Sequence, residues 1–154
     1  AILDALSFDE AVVIEQWVEG VEMAVSVLGT GWDAYALPPV EIVPKQGLYD
    51  TAARLDPNAV DYIAPVRPSS LSDDEGDAQA IRAEIERAAL EVYRAYNARD
   101  LARIDLIWDG AQARVFEVNV SPGMAERSLF PAACAAAGLS LSAVLNELVT
   151  QYAK

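Results

Sequence analysis

The sequence contains no histidine and only one cysteine, Cys134. Without imidazole, the chain cannot build a Ser/His or Cys/His nucleophilic site from its own residues, and histidine is excluded as a metal ligand. A single cysteine cannot form an intrachain disulfide, so the sequence gives no support for an oxidising compartment. We expect Cys134, which lies in an alanine-rich run, to be a small buried apolar residue.

Basic residues are scarce as well. The 11 lysines and arginines stand against 24 acidic residues, for a formal net charge of −13, and only Lys45 and Lys154 are lysines. This charge disfavours binding to nucleic acid or to an anionic membrane, and a phosphate contact is expected to come from an arginine. No apolar run approaches the roughly 20 residues of a membrane span, and no signal-like segment opens the chain. The sequence therefore predicts a soluble, cytoplasmic protein, and the first residue, Ala1, indicates a processed start or a segment of something longer.

Length and hydrophobic content predict one domain over residues 1–154, because a chain of this length that is 53% hydrophobic can bury one sizeable core. The stretch 44–77 is rich in proline, glycine and acidic residues and is typical of a long surface loop. Hydrophobic periodicity favours strands at 11–18, 22–28, 34–43, 101–109 and 113–120, and helices at 77–97, 128–137 and 141–152. Pro38-Pro39 indicates an edge or a bend. This order predicts an α+β fold with a mainly antiparallel sheet and helices packed on one side.

The strands at 101–109 and 113–120 carry the most informative polar residues. Because side chains alternate along a strand, Arg103 shares a face with Asp105, and Glu117 shares a face with Asn119. A three-residue turn at 110–112 would place Asp105 opposite Glu117, which destabilises a sheet unless a positive charge lies between them. Mg²⁺ prefers oxygen ligands, so Asp105, Glu117 and Asn119 form a candidate metal site. In the alternative register, shifted by two residues, Arg103 faces Glu117 as an ordinary surface ion pair.

A turn follows this hairpin, and Ser128 then opens a helix. The N-terminus of a helix presents free N–H groups and a positive dipole end, which suit a carboxylate or a phosphate. The alternative is that Ser128 is simply an N-cap.

Several segments together resemble the D-alanine–D-alanine ligases of the ATP-grasp type. ARIDLIWDG at 102–110, FEVNVSPGM at 116–124 and SLFP at 128–131 are similar to that family's C-terminal signature. IEQWVEGVEMAVSVLG at 14–29 resembles its hinge strand and following strand, and ALPPVEIVP at 36–44 and GLYDTAARL at 47–55 resemble the next strand and the mobile loop. The resemblance implies the C-terminal portion of a ligase whose N-terminal substrate domain and most of whose central subdomain are absent here.

The resemblance also implies a role for each matching residue. Glu15 and the backbone of Trp17 and Val18 would hold adenine, Glu22 would take the ribose hydroxyls, and Arg54 and Phe116 would complete the nucleotide site. Asp105, Glu117 and Asn119 would coordinate Mg²⁺ or Mn²⁺ at the ATP phosphates. Arg103 would stabilise the acyl phosphate and the tetrahedral intermediate, the Gly123 backbone would line the oxyanion site, and Ser128 with Leu129 would hold the second substrate's carboxylate. In the mobile loop the family commonly has a lysine and a tyrosine where this chain has Arg54 and Leu55.

The implied reaction joins two D-alanines for peptidoglycan precursor synthesis and needs no histidine. The first D-alanine carboxylate attacks the γ-phosphate of ATP, and the amine of the second displaces phosphate from the acyl phosphate. ATP and D-alanine are the implied small-molecule partners, with a homodimer expected for the full-length protein. The alternatives are a D-alanine–D-lactate or D-alanine–D-serine ligase, a non-catalytic nucleotide-binding or regulatory module, and an acidic scaffold that binds Ca²⁺ or nothing. For Glu15 and Glu22, the alternative is ordinary solvation on a strand.

Overall fold

The computed structural model describes residues 2–49, 53, 56 and 58–153. The strands are β1 Val21–Leu28, β2 Tyr35–Ala36, β3 Val40–Pro44, β4 Val60–Ile63, β5 Leu101–Trp108 and β6 Ala113–Asn119. The described helices are α1 Ile2–Ala5, a 3₁₀ turn Gly31–Asp33, α2 Pro68–Leu71, α3 Glu75–Ala95, α4 Leu129–Ala136 and α5 Leu141–Tyr152.

The strands form one antiparallel sheet in the order β4-β3-β1-β5-β6, and the short β2 also pairs with β1. This arrangement confirms the predicted α+β fold with a mainly antiparallel sheet. The helices, however, cover both faces rather than one. β1 is buried throughout residues 23–28, so its alternating side chains need apolar cover on each face. On one face α3 packs through Ile85, Ala89 and Tyr93, and on the other face α4 and α5 pack through Phe130 and Val144.

The helix predictions are confirmed within two residues. The α3 helix begins at Glu75 because the Asp74 carboxylate accepts a hydrogen bond of 2.9 Å from the Asp77 N–H and caps the helix. Among the described residues no single helix is long and apolar enough to cross a membrane, although α4 and α5 would meet the length and composition criteria as a pair bent by 104°.

Pro38-Pro39 interrupts the predicted strand and separates β2 from β3, which both pair with β1. The edge placement that the proline pair also allowed is wrong for β3, because β3 lies between β4 and β1. The predicted loop 44–77 is interrupted by β4 and α2. Both are only four residues long, too short to give a clear periodicity in the sequence.

The predicted strand 11–18 is wrong. These residues lie outside any strand, and Val13, Ile14 and Trp17 are exposed. A strand exists only through hydrogen bonds to a neighbouring strand, and no described strand lies beside this segment. Gly20 then leads into β1 at φ +154, where a Cβ atom would lie 2.1 Å from the Trp108 carbonyl oxygen. The close approach of two backbones therefore requires glycine at this position.

Candidate functional site

The β5–β6 hairpin brings together the polar residues singled out from the sequence. Arg103 pairs with Asn119 and Asp105 pairs with Glu117, so the predicted register is confirmed at these positions and the alternative register is wrong. The turn is one residue longer than predicted. Asp109 does not pair with a strand residue, because its carboxylate accepts hydrogen bonds of 2.9 and 2.8 Å from the Ala111 and Gln112 N–H groups and closes the turn.

A β-bulge reconciles the longer turn with the predicted register. Leu106 pairs with Val115 while Asp105 pairs with Glu117, so Phe116 is an extra residue on β6. Between Ala113 and the bulge, the side chains of β6 therefore point to the faces opposite to those predicted by simple alternation along the sequence. Arg114 and Phe116, which simple alternation places on the core face, instead line a cavity on the opposite face.

Arg103 and Asp105 form a buried ion pair on the face of the sheet away from α3. Arg103 Nε and Nη2 donate to Asp105 Oδ1 and Oδ2 over 2.6 and 2.7 Å, and the two residues are only 4% and 6% exposed. Arg103 Nη2 also lies 3.5 Å from Glu117 Oε1. Burial disfavours the charged guanidinium, but its hydrogen bonds and its attraction to Asp105 and Glu117 outweigh this, so the pKa of Arg103 is raised above its ordinary value. The positive charge required between the two carboxylates is therefore present as Arg103.

The donor set of Asp105, Glu117 and Asn119 has the chemistry of a hard-cation site. Both Asp105 oxygens accept hydrogen bonds from Arg103, and a carboxylate oxygen is also a ligand type that hard cations prefer. Asn119 Oδ1 accepts from the Ser121 N–H over 2.9 Å, and its Nδ2 lies 3.4 Å from Glu117 Oε1. In the described part of the chain, no group of three or more histidine, cysteine, aspartate or glutamate side chains is arranged to hold a metal. A cation here would need the Asn119 amide, phosphate oxygens or water as further ligands.

A cavity of 910 Å³ opens between the segment before β1, residues 48–49 and the β5–β6 hairpin. All described residues to which the resemblance assigns nucleotide contacts line it, namely Glu15, Trp17, Val18, Glu22 and Phe116. Trp17 is 66% exposed and Phe116 is 48% exposed, so the cavity presents apolar side chains to solvent. Arg54, the one other residue assigned to the nucleotide, and Leu55 lie outside the described residues.

The charges around this cavity are mainly negative. Glu15, Glu19, Glu22 and Asp109 contribute carboxylates, and Arg114 contributes a guanidinium. Burial, together with the nearby Asp105 charge, raises the pKa of Glu22. Hydrogen bonds from Arg114 and from the turn N–H groups lower the pKa of Asp109 to about 2. A polyphosphate in this cavity would therefore need cations beyond those on the cavity wall.

Sequence reasoning missed several residues of the cavity wall. Ile107 follows from alternation, because it shares a face with Asp105. Tyr49 stands within the loop segment that resembles the family, but no role was assigned to it. Arg114 gave no usable signal, because its orientation depends on the bulge at Phe116.

Ser128 occupies the N-cap position of α4, but its side chain makes no capping hydrogen bond. The explanation of Ser128 as a simple capping residue thus loses its main support. Gly123 packs closely against it, since a Cβ atom at position 123 would lie 3.1 Å from Ser128 Oγ. The Leu129 side chain is buried in the core beneath α4, which leaves its backbone as the part able to face a ligand. A second cavity, of 400 Å³, is lined by Ser128 together with Ala53, Asp56, Val60, Asp61, Tyr62, Glu126, Arg127 and Ala132.

Comparison with known proteins gives a consistent result. Residues 1–150 match the family described as D-ala D-ala ligase C-terminus. The D-alanine–D-alanine ligase of Desulforamulus reducens is 36% identical over 149 residues, which cover 97% of this chain and 45% of that protein. The chain therefore spans about half the length of such relatives.

Two solved structures share the fold. The Bacillus anthracis D-alanine–D-alanine ligase complexed with ATP superposes with a TM-score of 0.70 at 26% identity, covering 94% of this chain and 44% of that one. The Enterococcus faecalis D-Ala:D-Ser ligase VanG gives a TM-score of 0.68 at 25% identity, covering 90% of this chain and 38% of that one.

Proposed function

Since the chain belongs to the D-ala D-ala ligase C-terminus family, we propose that it forms the ATP-binding and catalytic half of a ligase that joins two D-alanines for peptidoglycan precursor synthesis in the cytoplasm. The observation that carries this proposal is the 910 Å³ cavity, which gathers Glu15, Trp17, Val18, Glu22 and Phe116. The cavity lies beside the Arg103–Asp105 pair, because its wall includes Glu22 and Ile107, which pair with each other two residues along the strands from Asp105.

In this proposal the cavity holds the nucleoside. Trp17 and Phe116 provide the apolar, partly exposed surfaces that suit an adenine ring. Glu15 accepts from the adenine amino group, and Glu22 accepts from the ribose hydroxyls. Burial and the nearby Asp105 charge raise the pKa of Glu22 because they disfavour its carboxylate, and hydrogen bonds donated by the ribose hydroxyls would offset part of that cost.

Asp105, Glu117 and Asn119 are the residues that would hold Mg²⁺, or Mn²⁺ in its place. Such an ion would supply charge neutralisation at the ATP phosphates, which the acidic wall of the cavity does not provide. Arg103 is held by its bidentate contact with Asp105 and is therefore preorganised to face negative charge that develops on a transferred phosphoryl group and on the tetrahedral intermediate.

The second substrate is placed by the turn and by the start of α4. Ser128 Oγ, which makes no capping bond, is available to the free carboxylate of the second D-alanine, together with the Leu129 backbone. The Gly123 backbone lies next to Ser128 and would line the oxyanion site. Catalysis then consists of positioning and electrostatic stabilisation. The first carboxylate attacks the γ-phosphate, ADP leaves and an acyl phosphate forms; the second amine then attacks its carbonyl carbon, and phosphate leaves as the amide bond forms and the amine loses a proton.

The test is D-alanine-dependent release of ADP and phosphate, with Mg-ATP and the complete gene product that contains this chain. The comparison is an Asp105→Asn/Glu117→Gln double variant, with Asp73→Asn/Glu91→Gln as the charge-matched control, since it removes two exposed carboxylate charges on and next to α3. Turnover that requires D-alanine, persists in the control and disappears in the double variant is the expected result. Turnover without D-alanine dependence, or a fully active double variant, would refute the proposal.

A second candidate differs only in the acceptor. The similarity to a D-Ala:D-Ser ligase favours testing D-serine and D-lactate beside D-alanine as second substrates. Binding of Mg-ATP without any ligation would instead identify a nucleotide-binding or regulatory module. An unchanged melting temperature on addition of Mg-ATP would favour the acidic scaffold.

A further inference from the structure

Two tyrosine hydroxyls link the walls of the two cavities. Tyr49 lines the 910 Å³ cavity, and Tyr62 lines the 400 Å³ cavity that contains Ser128. Their hydroxyl oxygens are 2.7 Å apart, and their rings meet edge to face with centroids separated by 6.2 Å. The pair therefore stands at the boundary between the nucleotide cavity and the second cavity.

The two tyrosines are anchored differently. Tyr62 belongs to β4, where it is paired with Ile42 of β3, so the sheet fixes its position. Tyr49 lies outside any strand, after the end of β3. Both side chains pack against the buried cluster beneath α4. The contact with Tyr62 gives the Tyr49 side chain both a hydrogen bond and a ring contact, and so helps to fix its orientation.

The pair also lies close to the centre of the hairpin site. Tyr49 interacts electrostatically with the Arg103 guanidinium. Arg103 in turn is fixed by Asp105 and lies within 3.5 Å of Glu117. The interactions thus run from β4 through the hydrogen bond between the two hydroxyls to the electrostatic attraction between Tyr49 and the buried arginine.

Building on the proposed function, we propose that Tyr62 is a positioning residue for ligation: its hydroxyl holds Tyr49 between the nucleotide cavity and the second cavity, so that the reacting ends of the two substrates meet at Arg103. Transfer between two bound substrates depends steeply on their alignment and on exclusion of water from the point of contact. A displaced Tyr49 would loosen that alignment while leaving the adenine and carboxylate ends of the site intact.

The test compares Tyr62→Phe, Tyr49→Phe and the double variant in the complete gene product. Tyr62→Phe keeps the ring contact and removes one hydroxyl. We expect kcat to fall roughly three- to tenfold, the range for loss of one neutral hydrogen bond. The KM for Mg-ATP should stay within roughly twofold, because the interaction acts on alignment rather than on nucleotide binding. The double variant should be no slower than Tyr49→Phe alone, because the Tyr49–Tyr62 hydrogen bond is already absent in that single variant.

Tyr35→Phe is the matched control, since Tyr35 is half exposed on β2, whose partners on β1 are Val27 and Leu28. A parental kcat in Tyr62→Phe, or additive effects in the double variant, would overturn the inference while leaving the ligase proposal standing. A lowered melting temperature with a proportional rise in KM would show a purely structural role and overturn it as well. If the parent shows no ligation, the proposed function fails, and the positioning role fails with it.

Discussion

Replacement of Asp105 by leucine tests whether Arg103 is held in the site by charge. In the parent, both Asp105 oxygens accept from Arg103, and both residues are almost fully buried. Removal of one partner from a buried ion pair costs about 3–5 kcal/mol, because the remaining charge stays desolvated without compensation. Glu117 lies 3.5 Å from the guanidinium and is about half exposed, so it retains part of the attraction. We therefore expect the free energy of unfolding to fall by about 3 kcal/mol, at the lower end of that range.

The assay is urea denaturation followed by tryptophan fluorescence, for which Trp108 on β5 provides a buried reporter. The double variant Arg103→Met/Asp105→Leu removes both charges and should recover most of the lost stability. Glu91→Leu breaks the exposed Arg87–Glu91 pair on α3 and should change the free energy of unfolding by less than about 0.5 kcal/mol. The reasoning is refuted if Asp105→Leu stays within about 1 kcal/mol of the parent, or if the double variant is as unstable as the single one.

Three further predictions concern the surroundings of the site. Gly20→Ala should lower the free energy of unfolding by about 1–3 kcal/mol, because the new Cβ would clash with the Trp108 backbone. Gly31→Ala should lower it by less, because the space around that position is open. Denaturation curves of the two variants decide this. Ser128→Ala should leave the melting temperature nearly unchanged, since no capping hydrogen bond is lost, but it should raise the KM for the second substrate. A clear loss of stability would show that Ser128 acts as a capping residue. Burial disfavours the Glu41 carboxylate, but hydrogen bonds, mainly from Arg67, prevail and lower its pKa below the ordinary 4.5. Its stabilisation should therefore be present above pH 4.5 and be lost as the pH falls below it, so an acid titration of stability should be shallower in Glu41→Gln.

Local pattern was sufficient where a residue's structure depends on its neighbours in the chain. The long helix, the two C-terminal helices and the β5–β6 hairpin were all predicted, because a helical stripe or a strand alternation over seven or more residues identifies one type of element. The pairing of Asp105 with Glu117 was also predicted, although from a turn one residue too short. The error in the turn and the omission of the bulge cancelled each other at these positions.

Local pattern failed where a residue depends on a partner distant in sequence. Residues 11–18 have the composition of a strand, but no described strand pairs with them, and an apolar β-branched run cannot specify its own partner. The bulge at Phe116 reverses the alternation of β6 and turns Arg114 into the cavity, an outcome fixed by the Asp109 turn and by pairing with β5 together. β1 shows the same limit, because alternation alone could not show that helices cover both of its faces.

The sequence by itself determined the chemistry available to this protein: no imidazole, few lysines, and a carboxylate, amide and guanidinium set on two adjacent strands, together with segments specific enough to identify the family. Only the tertiary structure decided how those groups compensate one another. It showed that Arg103 neutralises Asp105 directly, that Ser128 does not cap its helix, and that Tyr49 and Tyr62 meet between two cavities. The physical reason is that charge compensation and cavity walls are set by distances between residues far apart in the chain, and those distances follow from sheet register and packing rather than from local composition.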